Sequence, residues 1–409
     1  MIRTTPFHPR LGELNTQGLY THWQGYLSAL RYTDAPKHEY YAVRNAVGVF
    51  DTSPLYKYRI HGPDAEKFLA GVLVRDIRSC RPGNAQYTLW CDDRGFVMED
   101  GVVFRHSATD FLLTAARPNH GWFSDLRGRL RVEIEDVSET YGILAVQGPR
   151  SRTVLAKLMP QADSLPFFGL ADTKLGSSPV TLSRTGYTGD LGFEVTVEAD
   201  QAVDVLDAIL DAGRGHGVRP FGEEALMMLR IEAGLPLVDV EWHNSRTAFS
   251  DHQRVTPTEL GMGWMLRGVA DGDRAFVGGA AIRRELATQS SRWSSVGIVV
   301  DWRAWDTLHR EAGLLPPKDE HPLPYESVLH DRPTTAGAGE GGSQVGYVTS
   351  FMYSPVLQKH IGLARVRPDV AYPGSEVHME LAINHSNTTV LARTARLPLF
   401  NPARKAAKP

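Results

Sequence analysis

The sequence predicts a multidomain α+β protein that ends in a small all-β module. Three observations carry this. Helical and strand patterns alternate irregularly up to about Trp293, as expected for α+β rather than for a regular βαβ series. Beyond Trp293 the text turns to short strands separated by Gly or Pro, the signature of a small barrel or jelly roll. The 409 residues, at roughly 150 per domain, suggest two or three packed units.

Taken in order, residues 39–62 read as a short helical pattern through Val43 and Val47, then an alternating strand at Tyr56, Tyr58 and Ile60, closed by Gly62 and Pro63. Phe68, Leu69 and Val72 share one face of a helix over 64–74. Strands follow at 86–91, 96–104 and 111–115, separated by the turns DDRG and HSATD. Residues 140–147 form a buried strand, GPRSRTVLAKL opens a helix, and VTLSRTGYTGDLGFEVTV is a hairpin with a glycine-rich tip. Amphipathic helices are expected over 201–210 and 223–232, before a weakly periodic loop from Val240 to Pro257. The final strands are SSVGIVV, SQVGYVTS, KHIGLARV, SEVHMEL and TVLARTARLP. Between the first two, residues 303–343 contain PPKDEHPLP and TTAGAGEGGS and read as an insertion too polar for a core.

Composition narrows the function. Forty-four basic against 47 acidic residues leave a net charge of -3, which argues against nucleic acid or an anionic membrane as partner. No apolar stretch fits a signal peptide or a membrane span, so a cytoplasmic location is expected. Cys80 and Cys91 are too few for a disulfide framework or a four-cysteine zinc site and are expected to be buried thiols. The histidines form no metal-ligand spacing, so no metal is expected. Gly337, Gly339 and Gly342 spell GxGxxG, but without the strand before and helix after that a dinucleotide site needs.

The most informative segment is SRTGYTGDLGFEV, residues 183–195. Its glycines at 186, 189 and 192 permit a tight open turn, Tyr187 offers a flat face, and Glu194 follows seven residues later. A carboxylate accepts paired N–H groups from an aminopyrimidinone edge much as it does from a guanidinium. On spacing alone, an ordinary tyrosine-bearing hairpin is the better reading.

RTGYTGDLGFE resembles the folate-binding hairpin of the glycine cleavage T-protein (aminomethyltransferase) family. FDTSPLYKYRIHGPDAEKFL, QYTLWCDDRGFVMEDGVVFR, AVQGPRS, LRIEAGLPL, TPTELGMGW and the strands up to LPLFNP follow in the family's order. The resemblance implies a three-lobed cloverleaf with discontinuous folate-binding units: residues 1–57 with 139–290, residues 58–138, and a barrel module over 291–409 carrying the insertion near 303–343. It implies tetrahydrofolate as cofactor, in a central opening. Tyr187 and Glu194 match the folate-facing tyrosine and the pterin-holding glutamate. Tyr87 matches another aromatic of that site, and Phe167 stands where the family often has a further ring. Arg230 matches an arginine of the family's L-R-x-E-A helix. Asp100, thirteen residues beyond Tyr87, matches the catalytic aspartate, with Glu99 as the first acid of the pair.

Departures from the family bear on the substrate. Ala115 and Ala116 stand where glycine-cleavage enzymes carry an asparagine, Phe96 replaces a glycine, HNSRTAFSDHQR is longer than expected, and DWRAW adds Trp302 and Trp305. These differences resemble the demethylase-like branch, implying methyl transfer from a small O-, N- or S-methylated compound to give 5-methyltetrahydrofolate. The alternative is a glycine-cleavage aminomethyltransferase acting on a lipoyl carrier protein. A third reading is a folate-binding protein without catalysis.

Overall fold

The computed structural model describes residues 2–270, 272, 274–318, 323–334 and 341–408. Two sheets and a closed barrel organise the chain, beside a small N-terminal hairpin, Leu19–Trp23 with Tyr26–Arg31, which no sequence pattern had marked. The six-stranded sheet runs Leu170–Leu175, Ser178–Ser183, Gly192–Glu198, Tyr141–Gln147, Val47–Asp51 and Val218–Pro220, antiparallel except for its last pair. The five-stranded sheet runs Asn84–Cys91, Val97–Arg105, Asp110–Ala115, Tyr56–His61 and Glu133–Asp136. All its strands lie in sequence between Val47–Asp51 and Tyr141–Gln147, so the second sheet grows out of adjacent central strands of the first.

Helix Pro36–Asn45 stops before Val47, which opens a strand instead of completing the expected helical pattern. VGVF is apolar at every position, and so short a run carries no usable period. Its alternation is visible only in the folded sheet. Val47 and Val49 join the helix Ala202–Gly213 on one face, while Phe50 joins Tyr40, Phe221 and Leu229 on the other. That second face also receives Met352, Ile361 and Leu363 of the barrel. The five-stranded sheet is covered on one side by helices Ala65–Val72 and His120–Arg127, and on the other by Trp242, Leu260, Met265 and Ile282.

The C-terminal module is a closed barrel in the order Ser294–Val300, Lys359–Val366, Gln344–Ser354, Leu323–His330, Glu376–Ile383 and Ser386–Ala395. Leu323–His330 is a full barrel strand, with Leu329 wholly buried, although the sequence placed it in a polar insertion. The helix Trp302–Glu311 comes from the same stretch. Asp301 caps it by accepting the Ala304 N–H at 2.9 Å, and Trp305 packs into the barrel core. Polar, breaker-rich neighbours diluted both signals in sequence. Of the GxGxxG glycines, Gly337 and Gly339 lie outside the described residues. Cys80 and Cys91 are free and buried, as expected. Among the described residues no helix is long and apolar enough to cross a membrane.

Candidate active site

The glycine-rich hairpin owes its shape to one buried glutamine. Gln147, at the end of the neighbouring strand, donates to the carbonyls of Thr185 (3.2 Å) and Phe193 (3.0 Å) and accepts the Thr188 hydroxyl at 2.8 Å. It fits only because Gly186 and Gly192 have no side chain: a Cβ on either would stand 2.1–2.2 Å from Gln147 Oε1. Gly189 has φ +72°, and a Cβ there would meet the Ala233 Cβ at 2.4 Å. The tip is also held electrostatically. Arg44 donates to the Thr188 carbonyl (2.9 Å) and pairs with Glu232 (2.7 Å) and Asp190 (3.3 Å), and Arg404 closes on Asp190 at 2.6 Å. Tyr40 and Ser354 donate to Glu232, each at 2.5 Å. Sequence reasoning missed Gln147, Arg44, Asp190, Glu232 and Arg404 as supports, because their partners are backbone carbonyls or lie far away in the chain.

Glu194 stands at the base of this hairpin, opposite Ser183 on one side and Ala145 on the other. The Thr185 hydroxyl donates to its Oε2. Among the described residues no protein donor reaches Oε1. Burial pushes the carboxyl up and Thr185 pulls it partly back. A half-buried carboxylate with one oxygen held and one unengaged fits an incoming pair of N–H groups. The residues present therefore fit the pterin edge of a folate.

The second half of the site lies on the five-stranded sheet. Tyr87 donates from its hydroxyl to Asp100 Oδ2 at 2.8 Å across the antiparallel pair that holds both. Glu99, the preceding residue, is wholly buried; its Oε1 accepts the Asp100 N–H at 3.1 Å, and its Oε2 has no partner. Burial is the main cause that lifts both carboxyls above the ordinary range, Glu99 the more strongly. The Tyr87 hydroxyl and Glu99 hold Asp100 back, whereas the charge of Asp100 pushes Glu99 higher. Burial likewise pushes the Tyr87 phenol up, aided by Asp100 and Tyr187.

Tyr187 links the two halves. Its hydroxyl donates to the Pro236 carbonyl at 2.6 Å, which fixes the ring beside the turn after helix Glu223–Glu232. Burial raises its phenol, Arg230 opposes the shift, and Asp100 and Glu241 add to it. These charges are therefore neighbours. The Tyr187 phenol thus feels the charges of Asp100, Arg230 and Glu241, Tyr87 and Asp100 are joined by a hydrogen bond, and Glu194 lies at the base of the hairpin that carries Tyr187. Arg230 is not free to reach a ligand with its terminal nitrogens. It pairs with Glu241 (2.8 Å) and donates to Ser350 (2.8 Å), while Glu241 also receives Ser350, Thr349 and the Leu237 N–H. Phe167 is 38% exposed, with its ring set edge-on against Phe168 at 4.8 Å, so it does not fill core. The adjoining Phe168 backbone bridges the sheets, accepting from Ala85 (2.8 Å) and donating to Arg184 (3.0 Å).

Residues 12–268 match the GCVT N-terminal domain, and residues 311–400 the glycine cleavage T-protein C-terminal barrel domain. The chain is 31% identical over 404 residues to an aminomethyltransferase of Saccharopolyspora erythraea, covering 97% of this chain and 98% of that protein. It is 32% identical over 389 residues to the trimethylamine-oxide aldolase of Ruegeria pomeroyi, covering 91% of this chain and 44% of that protein, so it spans less than half the length of that relative. The crystal structure of glycine cleavage system aminomethyltransferase T from Bartonella henselae shares the fold, with a TM-score of 0.79 over 98% of this chain and 99% of that one at 21% identity.

Proposed function

Because the chain belongs to the glycine cleavage T-protein family, whose members are tetrahydrofolate-dependent transferases, we propose that it moves a methyl or other one-carbon group from a small O-, N- or S-methylated compound to tetrahydrofolate. The observation that carries this reading is the Tyr87–Asp100 hydrogen bond at 2.8 Å, together with the half-engaged Glu194 carboxyl on the glycine-rich hairpin that bears Tyr187. When bound, tetrahydrofolate supplies the nitrogen that accepts the one-carbon unit. Glu194 and Tyr187 hold the pterin, Tyr87 lines the site, Phe167 reaches it from the exposed edge, and Arg230 frames it through its pairing with Glu241. Displacement reactions need donor and acceptor held in line, so positioning is the protein's first contribution. Its second is electrostatic. Asp100 is a carboxyl in a poorly solvated site, where a charge acts more strongly on a cationic donor or a departing group than it would in water.

Two features favour a small donor over a lipoyl carrier: Ala115 and Ala116 replace the family's asparagine, and one similar protein is a trimethylamine-oxide aldolase. The full-length match to an aminomethyltransferase supports the glycine-cleavage alternative. Calorimetric titration with tetrahydrofolate is the first test. Saturable binding to the wild type and markedly weaker binding to Tyr187→Ala are expected. No saturable binding to the wild type would remove the proposal.

A further inference from the structure

The adjacent acids Glu99 and Asp100 differ in how many donors reach them. Asp100 is the reactive member in the proposed transfer, and the role inferred for its neighbour rests on that proposal. Asp100 Oδ2 receives the Tyr87 hydroxyl. Glu99 is 0% exposed; one oxygen takes a backbone N–H and the other takes nothing. An ionised carboxylate offers four acceptor positions and ordinarily gathers several donors when buried. Among the described residues, one amide is the only N–H that reaches Glu99. A cation does lie nearby, since Arg117 just beyond strand Asp110–Ala115 lowers the Glu99 carboxyl, but its guanidinium is paired with Asp239. Asp239 in turn faces His243 at 3.4 Å. Across the strand pair Glu99 stands opposite Trp90, whose indole N–H is taken by Asn119 at 3.0 Å. None of these groups donates a hydrogen bond to Glu99.

Glu99 Oε2 is a wholly buried carboxyl oxygen with no partner, next in the chain to an Asp100 carboxyl that already accepts the Tyr87 hydroxyl, and a buried carboxyl so short of donors is more stable carrying a proton. We propose that the pair holds a single proton on Glu99 Oε2, donated to the Asp100 carboxylate, so that Glu99 is a positioning residue and Asp100 the anionic member. This arrangement satisfies every group. Glu99 Oε1 accepts the Asp100 N–H, Glu99 Oε2 donates, and Asp100 accepts from both Glu99 and Tyr87. The alternative, a proton on Asp100, leaves a bare carboxylate at the wholly buried position, which carries the larger desolvation cost. Asp100 therefore meets its substrate as counter-charge and proton acceptor, not as the acid that protonates a leaving group.

Infrared spectroscopy of the ligand-free protein at neutral pH tests this without any turnover. Subtracting the Glu99→Gln spectrum from the wild type should reveal one protonated-carboxyl stretch, and subtracting Asp100→Asn should not. A band that disappears with Asp100→Asn but survives Glu99→Gln would place the proton on Asp100 and overturn the assignment, as would a band in neither difference. Should either variant fail to fold, the Glu99 side-chain carbon shift in wild-type protein labelled with ¹³C-glutamate answers the same question: a protonated value supports the assignment, an ionised one overturns it. Folate and donor are absent from these measurements. A failed assignment alongside observed methyl transfer would thus remove only this inference, and a correct assignment without transfer would remove only the functional reading.

Discussion

Asp100 combines two properties that a solvated turn acid lacks: a tyrosine hydroxyl fixed at 2.8 Å and surroundings that resist its charge. Asp100→Asn keeps the shape and removes the charge, so kcat should fall about a hundredfold, or about 2.7 kcal/mol of transition-state stabilisation, with folate affinity little changed. Steady-state kinetics on an active donor checks this. Near-wild-type turnover would show that alignment alone supplies the rate. Glu194→Gln places a donor where N–H groups are expected to arrive and should weaken folate binding by about 1–3 kcal/mol, read by calorimetry. Glu99 also leaves a signature in stability. Its carboxyl is raised in the folded protein, so above about pH 4.3, the unfolded value, the folded state keeps a proton that the unfolded chain loses. Stability from this group then falls as pH rises through that window. Urea midpoints of Glu99→Gln should decline less with rising pH than those of the wild type. Tyr87 and Asp100 were legible because their spacing follows a known family. Gln147 and the Glu99 proton were not, since each depends on which partners a buried group finds or lacks.

The hairpin is the element on which the site depends, and its glycines act through different neighbours. Gly186 and Gly192 make room for Gln147, whereas Gly189 needs a left-handed backbone beside Ala233. Gly189→Ala should therefore cost about 2–4 kcal/mol, combining the left-handed conformation with overpacking. Thermal unfolding followed alongside folate titration would check this; unchanged stability would mean that the tip is looser than the structure shows. Sequence pattern located this hairpin because strands 178–183 and 192–198 flank an evident turn. It misread Val47–Asp51, where an apolar run buried on both faces hides its period, and Leu323–His330, where breakers surround a barrel strand.

At the scale of the molecule, the barrel is docked through polar links as well as apolar packing. Arg230 and Glu241 join helix Glu223–Glu232 to Ser350 and Thr349 of the barrel, Ser354 reaches Glu232, and Arg404 returns to the hairpin through Asp190. We propose units of residues 1–57 with 139–290, 58–138 and 291–409, with Trp242 and Ile282 of the first packing on the sheet of the second. Arg230→Met leaves Glu241 buried without its cation and should destabilise the protein by about 3 kcal/mol, measured by urea unfolding. In this division the proposed site draws its residues from the first two units, and the barrel reaches it only through the bonds of Ser350 and Thr349 to Arg230 and Glu241. The most direct measurement is incubation with tetrahydrofolate and a panel of small O-, N- and S-methylated compounds, with 5-methyltetrahydrofolate quantified in the presence and absence of a lipoyl carrier protein. The expected result is 5-methyltetrahydrofolate from at least one small donor with no carrier present. One-carbon transfer only when an aminomethylated lipoyl carrier is supplied, or folate binding with no transfer from any donor, would contradict the proposed function.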